Sequence, residues 1–355
     1  MSADSTCAVG KRPAGRRAVT GAAAVVLVAA GALLWSKWAP YTAKVFDLSG
    51  NRAWTGGEVL RSGGVAAGDP PSLAAAVSFA TDYAQAVWKA LLAALVISAA
   101  LHAWLPERWA ARVLNRRRPV PEAIAGGLLS TPSMMCTCCS APVAVTLRRS
   151  GASLAAAGAY WLGNPLLNPA VLIFLHLVAP WQWTLTRLLV GAALVVSGGV
   201  LAHRLGGNDR PRPRPVERRG GGFGAAVRRF GRQLLRLVLT LVPEYLLVVM
   251  LLGAFRGWLL AGVEALPQGA LAVGVAAVIG TALVLPTAAE IPVLQALALA
   301  GASPALIGAL LVTLPAVSLP GMVVVARSFG PRATAVLALT TVVGGVVAGG
   351  VLAVL

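Results

Sequence analysis

The stretch Thr131-Pro-Ser-Met-Met-Cys-Thr-Cys-Cys-Ser-Ala-Pro142 lies in an apolar region long enough to enter a bilayer. Two prolines interrupt it, and three of the chain's four cysteines, Cys136, Cys138 and Cys139, stand at its centre. Irregular backbone at membrane depth is tolerated only where it is buried in protein or lines a cavity. We therefore expect a broken, re-entrant element here, and we expect function to be concentrated at it.

The composition of the 355-residue chain is typical of a polytopic α-helical membrane protein. Hydrophobic residues make up 57% of the chain and charged residues only 12%, whereas soluble domains average about 25% charged residues. The net charge of +18 does not indicate nucleic acid, because the arginines cluster in loops beside apolar runs, as membrane topogenesis and anionic lipid require. The expected partners are the lipid bilayer and a small-molecule or ion substrate, with no nucleic acid. The high Ala, Gly, Val and Arg content favours a bacterial plasma (inner) membrane.

The apolar runs divide the chain into five regions. A basic arm and a retained anchor helix occupy residues 1–35, and a Gly-rich, non-cytoplasmic loop occupies 36–82. Two sets of four apolar segments follow at 83–205 and 233–355, separated by a basic cytoplasmic linker at 206–232. The predicted segments are 83–105, 122–148, 153–178 and 183–204 in the first set, and 234–260, 269–295, 303–326 and 333–355 in the second.

The two sets are related by a shift of 150 positions. The shift places Pro142 on Pro292 and Pro165 on Pro315, and ten of the 27 positions from 142 to 168 are identical. Proline, glycine and serine occur at equivalent positions in both sets, and the overall composition of the chain does not account for this. The sequence therefore predicts an internal repeat.

The distribution of arginine predicts the orientation of the repeats. Five arginines between 108 and 118 place the loop after the first segment inside, as they do the arm and the linker. Three segments lie between this inside loop and the inside linker, and three crossings would end on the outside. One of the three therefore does not cross, and the broken 122–148 segment is expected to be the re-entrant one. Each repeat then crosses three times, which inverts the second repeat, with the N-terminus cytoplasmic and the C-terminus non-cytoplasmic. Inverted repeats with paired broken elements are a transporter architecture, and parallel repeats with another non-spanning segment are the alternative.

The cysteines, with Met134 and Met135 beside them, allow two interpretations. Thiolates and thioethers are soft ligands for Cu(I) or a trivalent metalloid, whereas a small hydrophobic Cys also lets a re-entrant tip pack closely. Adjacent cysteines cannot both point freely at one ligand, so a pair of Cys136 with Cys138 or Cys139 is expected. Because no second Cys/His cluster is present to complete a closed site, we do not expect structural zinc.

Two carboxylates and three polar residues are further candidates. Glu290 and Glu244 fall within apolar segments, and intramembrane carboxylates usually mark ion or proton paths. We therefore predict a proton-coupling role for them, with helix capping or pairing as the alternative. The polar candidates stand at proline breaks, where they either bind solute or satisfy freed backbone groups; they are Asn164, Asn168 and Ser318.

These motifs resemble a known family. Cys136-Thr-Cys-Cys-Ser-Ala-Pro142, Gly163-Asn-Pro-Leu-Leu-Asn-Pro169 and Leu314-Pro-Ala-Val-Ser-Leu-Pro320 are similar to the signature of the predicted permease family that includes YraQ and ArsP-type organoarsenical efflux permeases. The resemblance implies a permease for a small solute, with trivalent organoarsenicals as the substrates of one branch. The adjacent Cys138-Cys139, Asn164 and the two methionines depart from that signature.

Together these features predict a permease that works by alternating access, as a proton-coupled exporter of metalloid or soft-metal species. The alternatives are a membrane-embedded thiol redox or metal-relay protein that uses the cysteine cluster, and a non-transporting scaffold. The sequence has neither a nucleotide-binding Gly-Lys motif nor a catalytic His/Ser/Asp constellation. We therefore do not expect an enzyme.

Overall fold

The computed structural model describes residues 14–54, 64–105, 109–207, 223–264 and 269–355. The described chain is helical throughout, with no β-strand. Parts of all five predicted regions lie outside the described residues: 1–13 of the basic arm, 55–63 of the predicted loop, 106–108 of the first repeat, 208–222 of the predicted linker and 265–268 of the second repeat.

An N-terminal helical rod precedes the two repeats. It consists of α1 (Ala14–Leu33), a π-helical turn (Leu34–Trp38) and α2 (Ala39–Asn51). The first repeat contains α3 (Leu73–Trp104), α4 (Trp109–Leu114), α5 (Pro119–Ser130), α6 (Thr137–Arg149), α7 (Leu154–Leu166), α8 (Pro169–Val178) and α9 (Trp181–Leu205). The second contains α10 (Phe223–Glu264), α11 (Ala270–Ala282), α12 (Glu290–Leu299), α13 (Pro304–Ala316), α14 (Leu319–Phe329) and α15 (Pro331–Val354).

Six helical stretches in the described chain are long and apolar enough to cross a membrane, and a seventh is obtained if α13 and α14, bent by 52° at their junction, form one span. The rod, α10 and α15 also expose large apolar side chains, among them Leu27, Leu239 and Leu339. Such surfaces suit hydrocarbon rather than water. The protein is therefore a multi-pass membrane protein.

The repeat is present in the packing as well as in the sequence. Helices α7 and α13 have bounds 150 residues apart, and the helix pairs that pack within the first repeat, such as α7 with α9, have packed counterparts such as α13 with α15. In the first repeat Gly199 lies so close to α7 that an added Cβ would meet the Ala155 carbonyl oxygen at 2.6 Å. In the second, a Cβ on Gly349 would meet the Ala305 carbonyl oxygen at 2.5 Å. Equivalent glycines thus allow the same close helix contact, as small residues do in membranes.

Three predicted boundaries are wrong. The predicted loop at 36–82 is helical as far as Asn51 and again from Leu73, where the Ser72 hydroxyl accepts a capping hydrogen bond from the Ala75 backbone. Residues 223–232 of the predicted linker belong to α10. Polar residues at helix ends resemble loops in sequence, but capping and the neighbouring helices keep those turns helical. The predicted anchor is also more than an anchor, because the rod packs against α3 and α8.

The break before the cysteines lies between two short helices. Helices α5 and α6 have 12 and 13 residues, about 18–20 Å each at 1.5 Å per residue, which is less than the roughly 30 Å hydrocarbon core. Between them a 3-10 turn, Thr131–Ser133, leads to Met134 in the left-handed conformation (φ 48°). The counterparts α11 and α12 have 13 and 10 residues. Both predicted broken segments are thus broken in the structure.

Candidate functional site

Three free thiols converge at the start of α6. Cys136 is the extended N-cap residue (φ −74°, ψ 166°), so its side chain can turn back over the first turn, which carries Cys138 and Cys139. Its Sγ lies 3.0 Å from that of Cys138 and 3.1 Å from that of Cys139, while the sulfurs of Cys138 and Cys139 are 3.9 Å apart. All three residues are buried and reduced. In the described chain they are the one group of three His, Cys, Asp or Glu side chains whose ligand atoms could hold a metal ion. The expectation that only one of Cys138 and Cys139 would face Cys136 is therefore wrong, because the first turn of α6 brings both sulfurs toward the N-cap.

Aromatic side chains enclose the thiols. The Tyr83 hydroxyl of α3 lies 2.9 Å from the Sγ of Cys138. The Trp161 indole of α7 donates to the carbonyl oxygen of Thr137 at 2.9 Å. These contacts fix the first turn of α6 against both α3 and α7. The thiols are therefore pre-positioned by well-packed neighbours.

Asn164 holds the broken segment in place. Its Oδ1 lies 2.5 Å from the Ser133 hydroxyl and accepts a longer bond, 3.4 Å, from the Met135 backbone N–H. Its Nδ2 donates to the Tyr160 carbonyl oxygen at 2.8 Å. Both ends of the amide are thus engaged in this conformation, and contact of Asn164 with solute stays a prediction.

The equivalent positions Asn168 and Ser318 begin the second halves of the two broken helices. The Asn168 Oδ1 accepts from the first backbone N–H groups of α8, and its buried Nδ2 has no hydrogen-bond partner among the described residues. The Ser318 hydroxyl lies 3.1 Å from that of Thr137, at the start of α6. Ser318 therefore joins the second repeat to the helix that carries the thiols.

Glu290 lies in a buried ion pair with Arg187. The guanidinium of Arg187, on α9, is 2.8 Å from the Glu290 carboxylate, and both side chains are almost fully buried. Arg187 also donates to the Pro165 carbonyl oxygen at 2.8 Å and to that of Leu166 at 3.4 Å. The Arg187 cation thus lies at the C-terminus of α7, where the helix dipole is negative. The Glu290 carboxylate lies in the first turn of α12, where the helix dipole is positive.

Glu244 does not join this site. Its carboxylate lies 2.9 Å from the Arg327 guanidinium at the end of α14, and the Arg327 side chain is 53% exposed. Glu244 is therefore paired near a surface, away from the ion pair of Glu290. Its predicted proton-coupling role stays a prediction.

A cavity of about 390 Å³ opens beside the thiols. Cys136 lines it from the first repeat, Thr287 and Pro286 from the second, and Lys37 and Tyr41 from the N-terminal rod. The Lys37 ammonium donates to the Tyr41 hydroxyl at 2.8 Å and to Thr287 Oγ1 at 3.2 Å. The rod therefore supplies a buried cation to a cavity that reaches Cys136.

Sequence reasoning missed Lys37 and Arg187. Arg187 can be identified from the sequence, because a charged residue inside an apolar segment is a functional candidate by default. Lys37 follows the first apolar run, where the sequence predicts a loop, although it is buried in a π-helical turn. Their partners Thr287 and Glu290 are 250 and 103 residues away, so only the fold identifies them.

Soft-ligand binding is chemistry that this arrangement can support, since three thiols meet at the break and Cys136 lines the cavity. Three thiols, an adjacent cation and polar groups at helix breaks can bind a solute but provide no hydrolytic constellation.

Comparison with known proteins agrees with this architecture. Residues 72–354 match the ArsP_1 family, described as predicted permeases. The chain is 37% identical over 329 residues to the UPF0718 protein YraQ of Escherichia coli strain K12, an alignment that covers 91% of this chain and 92% of that protein. No solved structure matches the chain. The extent of both matches, on a multi-pass helical fold with paired broken helices, shows that the chain belongs to this predicted permease family.

Proposed function

We propose that this permease moves a small soft solute by alternating access, and that it exports metalloid or soft-metal species across a bacterial plasma membrane. The observation that carries the proposal is the convergence of three buried thiols at a helix break. Soft sulfur ligands select soft partners, and breaks near mid-membrane are where transporters bind substrate. A trivalent hydroxide such as As(OH)₃ would form three S–As bonds with three thiols and release three water molecules. A monoalkylated or monoarylated centre would use two thiols and release two.

Inverted orientation of the two repeats is part of this proposal. The pairs α5–α6 and α11–α12 consist of helices too short to cross singly, which supports two re-entrant elements. Arg327 and Arg332 flank the junction of α14 and α15, whereas no charge lies in the equivalent segment 177–183. This asymmetry supports opposite sides for the two turns. Two re-entrant elements that enter from opposite faces would open the site to each face in turn.

We also propose that Glu290 couples transport to proton movement by binding and releasing a proton at its carboxylate. Because the carboxylate is already compensated by Arg187, proton exchange requires the ion pair to separate in one state of the cycle. The pair joins α9 of the first repeat to α12 of the second. Relative motion of the repeats would therefore make and break it.

The proposal is tested by flux into vesicles. Purified protein is reconstituted, and the flux of As(III), Sb(III) and phenylarsonous acid is compared between wild type and the variant Cys136→Ser/Cys138→Ser/Cys139→Ser. We expect the triple variant to lose at least about tenfold of the flux, the equivalent of about 1.4 kcal/mol. Cys7→Ser is the matched control, because it removes a thiol outside the cluster. Undiminished flux in the folded triple variant would contradict the proposal.

A second candidate function is thiol redox exchange. Cys136 and Cys139 have the C-x-x-C spacing at a helix N-terminus that is typical of thiol oxidoreductases, and their sulfurs are 3.1 Å apart. Oxidation of this pair would form one disulfide and release two protons and two electrons to an added acceptor. Catalytic turnover of a dithiol with a disulfide acceptor, abolished by Cys139→Ser, would favour this function; no turnover would remove it.

A further inference from the structure

Lys37 is a buried cation in an irregular helical turn. It lies in the π-helical turn Leu34–Trp38 between α1 and α2 and is 6% exposed. Single π-helical turns inside α-helices are frequent at functional sites. The turn is tied to the broken segment, because the Trp38 indole donates to the Pro132 carbonyl oxygen at 2.8 Å. The rod thus places Lys37 at a fixed position beside α6.

The described side chains that accept hydrogen bonds from Lys37 are both neutral. Its ammonium donates to two neutral oxygens, of Tyr41 and Thr287, and lies over the Tyr41 ring at 4.9 Å from the centroid. Within the described residues no carboxylate forms an ion pair with it. An ammonium has three N–H donors, so one remains after these two hydrogen bonds. Since an isolated buried charge is very costly, the site favours an anion.

The cavity provides the place for that anion. Lys37 and Cys136 both line it, and a second lysine, Lys89, does so as well, whereas none of the described residues that line it is Asp or Glu. Trp54 and Trp88 add aromatic surface. A small organic anion would therefore meet positive charge, aromatic walls and a thiol within one cavity.

We propose that this cavity binds the negatively charged group of the solute at Lys37 while the solute's soft atom reaches Cys136. The substrate class is then small anions that also carry a thiol-binding atom. The proposed substrate class rests on the proposed function. The anion site at Lys37 can be tested independently of that function.

The test of the anion site uses Cys136 as the only thiol, in a Cys7→Ser/Cys138→Ser/Cys139→Ser background. Its thiolate attacks a methanethiosulfonate, forming a mixed disulfide and releasing methanesulfinate. Rates are measured by mass spectrometry for an anionic reagent, 2-sulfonatoethyl methanethiosulfonate, and a cationic one, 2-(trimethylammonio)ethyl methanethiosulfonate. The ratio of the two rates cancels any change in thiolate fraction or in folding, so it reports the charge of the cavity alone.

We expect Lys37→Gln to lower the anion-to-cation rate ratio at least about tenfold, as expected for loss of one nearby buried charge. Lys37→Arg should keep the ratio. Lys44→Gln is the matched control, because Lys44 is on the same rod but pairs with Asp47 at 3.3 Å; its ratio should stay within about twofold of the parent. An unchanged ratio in Lys37→Gln, or no reaction of Cys136 with either reagent, would overturn the proposal.

A second arm tests the substrate class in the wild-type cysteine background. Phenylarsonous acid and its 4-carboxy derivative differ by one carboxylate, and their affinities are compared by protection of the thiols from alkylation. We expect the carboxylate to strengthen binding at least about tenfold in wild type, and the affinity ratio to approach one in Lys37→Gln. Equal affinities in wild type would overturn the substrate class. Failure of both compounds to bind would contradict the proposed function, and the rate ratio above would still decide the anion site.

Discussion

Arg187 links two helix ends that belong to different repeats. It satisfies the carbonyl oxygens exposed at the end of α7 and pairs with Glu290 at the start of α12. Removing one member of a buried ion pair leaves an uncompensated charge and costs about 3–5 kcal/mol, whereas replacing both can be nearly neutral. At this position the second repeat has Leu337, so an apolar residue suits the equivalent site.

We predict that Glu290→Gln lowers the stability of the purified protein by about 3–5 kcal/mol, because it leaves the Arg187 charge buried without its partner. The double variant Arg187→Leu/Glu290→Leu should recover part of that loss. Stability is measured as the free energy of unfolding in detergent. Glu244→Gln is the control, since its partner Arg327 is half exposed and such pairs contribute about 0–1 kcal/mol. Equal losses for Glu290→Gln and Glu244→Gln would contradict a structural role of the buried pair.

The sequence predicts which residues are unusual, but not which of them meet. The thiols could be chosen from their spacing because all three lie in one turn of one helix. Glu290 could be chosen because a carboxylate in an apolar run is unusual. Its partner Arg187 and the Lys37–Thr287 contact depend on the packing of distant segments, which no local pattern in a single sequence encodes.

At the scale of helices, prolines occur at the helix breaks and glycines occur where two helices pack closely. Breaks in α7–α8 and α13–α14 occur at Pro-rich segments, as the sequence predicts, because proline removes a backbone donor and clashes with the preceding turn. Gly199 and Gly349 determine how closely α9 and α15 approach α7 and α13. The paired use of glycine explains why both repeats keep the same internal packing.

We predict that Gly349→Ala destabilises the protein by about 1–3 kcal/mol, the usual cost of overpacking, because its Cβ would lie 2.5 Å from the Ala305 carbonyl oxygen. Gly199→Ala should behave alike, since its Cβ meets the Ala155 carbonyl oxygen. The adjacent Gly350 has nothing within 4 Å of an added Cβ, so Gly350→Ala should not destabilise. The three variants are compared by thermal unfolding in detergent. Because alanine favours a helix more than glycine does, a loss in Gly350→Ala equal to that in Gly349→Ala would contradict close contact as the cause.

Helix boundaries were less predictable than breaks. The start of α3 at Leu73 is ten residues earlier than hydropathy predicts, because Asp82 lowers the apolar average of turns that packing keeps helical. In the same way, Arg228, Arg229 and Arg232 lower the hydropathy of the first turns of α10. Hydropathy reports contact with lipid, whereas a helix continues wherever its backbone is capped and packed.

At the scale of the molecule, the repeats share a scaffold and differ in chemistry. The common features are the breaks and the glycine contacts, whereas the thiols and Arg187 occur in one repeat and Glu290 in the other. The N-terminal rod, which precedes the family match at residue 72, adds Lys37 to this asymmetric site. A transporter built in this way would use its symmetry for motion and its asymmetry for selecting the solute.

The inverted arrangement makes a prediction about the two chain positions that end the repeats. If each repeat crosses three times, a reporter inserted after Gly207 in the full-length protein lies in the cytoplasm, and one fused after Leu355 lies on the other side. Fluorescence of a green fluorescent protein reports the cytoplasm, and alkaline phosphatase activity reports the opposite side. Each reporter is placed at both positions. A position at which neither fluorescence nor phosphatase activity is detected is recognised as a poorly expressed fusion. Cytoplasmic signals at both positions would mean that the second repeat crosses an even number of times, and the inverted arrangement and the alternating access built on it would fall together.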